Sequence, residues 1–124
     1  TNTFHTLNWN NRVTPDYYTQ GERGGVAIEL MIELCNELGA DPWFCMPAQA
    51  SDEDVRKFAQ MVKSQLHANG KVYVEWSNEL WNSQFEAHKW LVRETDGKAF
   101  SMPFYDKWAA EARRDFSIWS DVWS

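Results

Sequence analysis

From Val26 to Trp123 the chain alternates runs of helical period with short strand-like runs, and this order restricts the folds open to it more than any other feature. In Val26 to Leu38, Ile28, Met31, Ile32, Cys35 and Leu38 recur at helical spacing, with Glu29, Glu33, Asn36 and Glu37 between them. Gly39 follows as a stop, because glycine accepts the left-handed backbone that ends a helix. Pro42 to Met46 has the form of a short buried strand, with prolines at its start and just past its end. Ser51 then begins a second helix: its hydroxyl can cap free amides, and Asp52, Glu53 and Asp54 put negative charge at the positive end of the dipole. Val55, Phe58, Ala59, Val62 and Leu66 are its apolar stripe, ended by Asn69-Gly70. A second strand, a short helix within Ser83 to Thr95 and a long helix from Phe104 to Trp123 complete the series. The stripe of the long helix is expected along Tyr105, Trp108, Ala109, Ala112, Phe116 and Trp119. Helix, strand, helix, strand, helix is the order of an α/β architecture with a parallel sheet, and residues 1–124 form one domain.

Composition excludes several functions. The 44% apolar and 24% charged fractions are those of a folded globular chain. A net charge of -6 lacks the clustered Lys and Arg that a nucleic-acid surface needs. No apolar run approaches the roughly 20 residues that span a bilayer. No signal peptide is visible, and a start at Thr1 without Met points to a processed chain or a fragment. Cys35 and Cys45 are expected as small buried hydrophobes with free thiols. His5, His67 and His88 have no metal-ligand partners at a recognised spacing, and the acidic trio after Ser51 is most economically a helix start, so neither metal nor cofactor is expected. His88 is expected at a helix surface or rim. Residues 1–23 are expected to be mostly irregular, and Gly21-Glu22-Arg23-Gly24-Gly25 matches neither glycine-rich phosphate fingerprint. Eight Trp and seven Phe are many for 124 residues, which implies a core rich in large rings and leaves room for a ring-lined cleft.

The chemistry concentrates in Lys71-Val-Tyr-Val-Glu-Trp-Ser-Asn-Glu-Leu-Trp-Asn82. Val72, Tyr73 and Val74 open a strand behind the Asn69-Gly70 turn. Extended alternation through this stretch puts Tyr73, Glu75, Ser77 and Glu79 on one face and Val72, Val74 and Trp76 on the other. Two acids on one face of an apolar strand are costly to bury without a purpose. A carboxylic acid at a strand end, desolvated by Trp76 or Trp81, has its neutral form favoured, which suits a general acid. Asn78 beside it can hydrogen-bond a substrate hydroxyl. The plainer alternative is a structural Glu79 bonded to loop amides.

Val74-Glu-Trp-Ser-Asn-Glu79 resembles the fourth-strand signature of the (β/α)8-barrel glycoside hydrolases of the large retaining clan that includes many cellulases and β-glycanases. The wider likeness runs through Glu29 to Asn36, Asp41-Pro-Trp-Phe44 and Glu75 to Asn82. The resemblance implies a partial (β/α)8 (TIM) barrel, short parallel strands alternating with helices, and a β-linked oligo- or polysaccharide as partner. It makes Glu79 the acid/base and Asn78 the contact to the sugar hydroxyl next to the reacting carbon. Trp81, Trp76 and Trp43 become candidate sugar-platform residues, with Glu75 lying deeper as a support for the acid. A secreted location is implied by the same likeness.

A whole barrel takes about 250 residues, so the chain is expected to supply only its second to fourth helices. Retaining hydrolysis needs a second carboxylate about 5 Å from the first, and in the family it comes from a strand outside this chain. Strand edges and helix faces left uncovered predict self-association or docking with the remainder of a barrel. Two other functions stay open: a non-catalytic carbohydrate-binding or assembly module with a Trp-lined rim, and a structural α/β domain.

Overall fold

A computed structural model describes residues 8–22 and 24–124; Arg23 and His5 lie outside the described residues. After a 3-10 turn at Trp9–Asn11 the chain forms α1 (Ile28–Leu38), β1 (Trp43–Met46), α2 (Asp52–Gln65), β2 (Tyr73–Trp76), α3 (Glu86–Arg93) and α4 (Met102–Trp123). The two strands are parallel, with Trp43 opposite Tyr73, Phe44 opposite Val74, Cys45 opposite Glu75 and Met46 opposite Trp76. A parallel pair needs a long crossover, and α2 supplies it.

Local chemistry sets most element ends. The Ser51 hydroxyl accepts the Asp54 amide at 3.2 Å, capping α2 under its three acidic residues. Gly39 closes α1 at φ 61. Ser101 caps α4 through the Phe104 amide at 3.3 Å. That helix starts two residues earlier than Phe104, because Pro103 lacks an amide hydrogen and fits the first turn without loss.

One face of the sheet is covered. Phe44 and Met46 of β1 pack with Val55, Phe58, Ala59 and Val62 of α2 and Ile118 and Trp119 of α4. Phe44 meets Phe58 edge-on at 5.1 Å between ring centroids. A second cluster lies past the strand ends, where Trp76, Leu80, Ala87, Leu91 and Phe104 close around Ala48. Alternation in β1 sends Trp43 and Cys45 to the opposite face, beside Tyr73 and Glu75 of β2, and Trp43 and Tyr73 are both exposed there.

Three expected features are corrected. Of the stripe expected on α4, Trp119 is buried and Trp108 and Ala112 pack against the second cluster, but Tyr105 and Phe116 are close to half exposed and Ala109 is exposed; Phe104, Asp115 and Ile118 are the other buried residues. The buried face takes in Asp115, an acid that helical spacing alone assigns to solvent. Leu38 is exposed, since α1 presses its N-terminal turns, through Ile28 and Ile32, into the core. His88 is buried: its Nδ1–H donates to the Leu80 carbonyl at 2.6 Å and its ring packs on Phe104.

Asp115 is fully buried, with one oxygen accepting from Arg114 at 3.0 Å and the other without a hydrogen-bond partner. Arg114 also holds the Ala50 carbonyl at 3.0 Å, tying α4 to the loop after β1. Burial pushes the Asp115 carboxyl up to about 6, against a smaller opposing pull from Arg114. The folded chain therefore keeps this proton over a range where the unfolded chain has lost it. Stability falls as pH rises from about 4 to about 6, and the cost stays in place above that. Asp115→Asn is expected to raise stability at pH 7 on the order of 2 kcal/mol. The two proteins should converge near pH 4, as urea unfolding across that range will check.

Candidate functional site

The site residues lie where β2 ends. Ser77 still donates its amide to the Met46 carbonyl at 2.8 Å, so the ladder runs one bond past the last paired residues. There the extended backbone stops: Ser77 has φ 60 and Glu79 φ 46. Both are left-handed, a conformation that costs a non-glycine residue roughly 1–2 kcal/mol. The expected alternation through Glu79 is thus corrected. Strand geometry ends at Trp76, Ser77 is buried, and Glu79 belongs to a turn whose carbonyl accepts the Asn82 amide at 2.8 Å.

The turn is held from below. Trp76 and Leu80, each 1% exposed, plug the second core cluster on either side of Ser77 to Glu79, and His88 fastens the Leu80 carbonyl. Asn78 and Glu79 remain part-exposed between these anchors. One Glu79 oxygen accepts from the Asn82 Nδ2 at 3.3 Å. Strain of this kind persists only where the surroundings overdetermine it, and it collects at functional sites. Glu79→Gly is accordingly expected to stabilise the protein by about 1 kcal/mol, because glycine accepts this backbone freely. The denaturant midpoint reads that gain.

On the open sheet face, Glu75 is the hub. Its Oε2 accepts the Trp43 indole N–H at 3.2 Å and lies 3.9 Å from the Cys45 Sγ. The same sulfur lies 3.9 Å from the Asn78 Oδ1, so Glu75, Cys45 and Asn78 form one connected group. Burial first, and then the Glu75 charge, push the Cys45 thiol up, which keeps its proton on sulfur at neutral pH. Both cysteines are free thiols, as expected, but both are half-buried, which corrects their expected place as buried hydrophobes. Cys45 is the site residue that composition concealed, since it looks like a core hydrophobe; pairing the two strands in parallel register would have set it beside Glu75.

The three tryptophans separate. Trp76 offers no ring face to any ligand, because it is the filler of the second core cluster; its place among platform residues is corrected. Trp81, 59% exposed, stands two residues past Glu79 on the same turn. Trp43 is 66% exposed and stacks on Tyr73 at 5.8 Å with planes 18° apart. These two rings occupy the first positions of their strands, whereas Asn78 follows the end of β2. Glu75 is directed toward Trp43 and Cys45, with Asn78 reached through the sulfur.

Against β1 is a cavity of about 110 Å³ lined by Arg12, Val13, Ile28, Trp43, Phe44 and Phe58 among others. Arg12 pairs with Glu29 at 2.8 Å at its edge. Among the described residues no group of three or more His, Cys, Asp or Glu side chains is placed to hold a metal ion, and no helix is long and apolar enough to cross a membrane. The chain matches no family model, no curated protein and no solved structure.

Proposed function

We propose that the chain is the acid/base-bearing part of a (β/α)8-type retaining β-glycoside hydrolase, with Glu79 as the proton donor and Asn78 as the contact to the sugar hydroxyl beside the reacting carbon. The observation that carries this reading is the strained turn after β2. Left-handed Ser77 and Glu79 bracket Asn78 at the carboxyl ends of parallel strands, where such sheets present their ligands. Trp76, Leu80 and His88 hold that turn rigid, which is the preorganisation that positioning a proton donor requires. Trp81, exposed on the same turn, is the ring best placed to stack on a β-linked sugar.

Glu79 acts as general acid on the departing oxygen and then as general base on water, and the carboxylate nucleophile comes from another segment or another chain. The open sheet face, with Trp43 and Tyr73 exposed on it, supports assembly with such a remainder or with a second copy, because parallel sheets normally have both faces covered. The test is hydrolysis of an unactivated β-linked oligosaccharide by the purified protein, since its leaving group needs a proton. Turnover abolished in Glu79→Gln supports the reading; turnover unchanged in that variant removes it.

The exposed Trp43–Tyr73 stack favours a second reading, a carbohydrate-binding or assembly module without catalysis. Saturable quenching of tryptophan fluorescence by β-linked oligosaccharides, with no product formed, would select it.

A further inference from the structure

Two helix faces are apolar and uncovered, and both are turned away from the helix that joins them. α2 packs against α1 and against α4, which share no extensive contact with each other. Asn36 of α1 faces α2, where its Nδ2 donates to the Gln65 carbonyl at 2.8 Å. Leu34 and Leu38 each stand two residues from Asn36, about 160° around the helix, and so face away from α2. With Leu30 they make a stripe at every fourth position, in which Leu34 is 60% and Leu38 69% exposed. The core contacts of α1 use another face, through Ile28 and Ile32. On α4 the pattern repeats. Arg114 faces α2 and pairs with Asp52 at 3.4 Å. Phe116, two residues on, lies on the far side, in line with Tyr105 and Ala109 at helical spacing. Single exposed apolar residues are ordinary, but stripes of them mark contact surfaces.

Charge decides what can cover these faces. α1 carries three Glu and no Lys or Arg. Glu33 and Glu37 each follow a stripe leucine by three residues, so both flank that stripe. Glu37 is also in the last turn, where the helix dipole disfavours an acid with no cation beside it. Arg113 follows Ala109 by four residues and precedes Phe116 by three, so it flanks the α4 stripe. Among the described residues no ion pair involves Glu33, Glu37 or Arg113. Two α1 helices packed together would set these carboxylates against their own copies, and two α4 helices would oppose their arginines. α1 against α4 matches apolar stripe to apolar stripe and acid to base.

We propose that a second copy of the chain docks head to tail, with the leucine stripe of α1 on one copy against the Tyr105, Ala109 and Phe116 face of α4 on the next, and Arg113 set against Glu33 and Glu37. The contact is heterologous, so each added copy leaves one face of either kind free, and assembly runs on to a ring or a chain. It does not depend on the hydrolase reading, because it uses the helix layer and not the Glu79 turn.

Sedimentation velocity over a range of protein concentrations is the test, with circular dichroism confirming that each variant folds. The wild type should gain mass as concentration rises. Leu34→Asp disables only the α1 face and Phe116→Asp only the α4 face, and both positions are exposed, so the fold should tolerate each. Either variant alone should associate about tenfold or more weakly, because docking would bury an unpaired carboxylate. An equimolar mixture of the two should form a one-to-one heterodimer, since each supplies the face that the other lacks. Arg113→Glu and Glu37→Arg should each weaken association and regain it when mixed. A wild type that stays monomeric at every concentration overturns the proposal, as does a mixture no larger than its components. Association kept in both aspartate variants also overturns it, and moves the contact to another surface such as the open sheet face.

Discussion

Trp76→Ala is expected to destabilise the protein by about 3 to 5 kcal/mol, whereas Trp81→Ala should change stability by less than about 0.5 kcal/mol. The two rings are five residues apart and flank the same turn, yet only one is structural. Trp76 is 1% exposed and is packed with Leu80, Ala87, Leu91 and Phe104, with Trp90 at 6.4 Å between centroids. Removing it leaves a cavity beneath Ser77 to Glu79 that backbone already under strain cannot fill. A loss of this size is a large part of the 5–15 kcal/mol typical of a domain. Trp81 is mostly exposed and packs in neither core cluster. Urea unfolding of both variants measures the contrast, and a Trp81 loss comparable with that of Trp76 would mean that the turn is held differently.

Much of this architecture was legible locally. Ser51 with its acidic followers, Gly39 and the paired strand runs announce their roles through single-residue chemistry, and the observed elements fall on them. What escaped depends on groups distant in sequence. Asp115 joins the buried lane of α4 because Arg114 lies against it and holds the Ala50 carbonyl, a contact made 64 residues away. His88 is buried because the Leu80 carbonyl needs a donor. Ser77 and Glu79 are left-handed although neither residue type favours that backbone, so no propensity reveals it. At the site, strand alternation correctly put Trp76 opposite Glu75 and should have excluded it as a sugar platform. Cys45 needed the strand register before its place beside Glu75 could be seen.

Glu79→Gln is expected to slow hydrolysis of an unactivated β-glycoside by about 10²- to 10⁴-fold, the usual worth of a positioned general acid. Glutamine keeps an oxygen able to accept from Asn82 Nδ2 and is close to glutamate in shape, so the fold and the turn should survive the change. The loss would then report proton donation. Asn78→Ala should instead lose rate on every leaving group alike, because its role concerns the sugar.

That difference supplies the most direct test of Glu79. The measurement is kcat/KM for wild type and Glu79→Gln over a series of aryl β-glycosides whose phenols range from poor to good leaving groups. An excellent leaving group departs without a proton, so a variant lacking its acid should approach wild-type rates there and fall steeply as the phenol becomes more basic. Glu79→Gln should show this steepened dependence and the wild type a shallow one. A uniform loss across the series, or none, would contradict Glu79 as the acid.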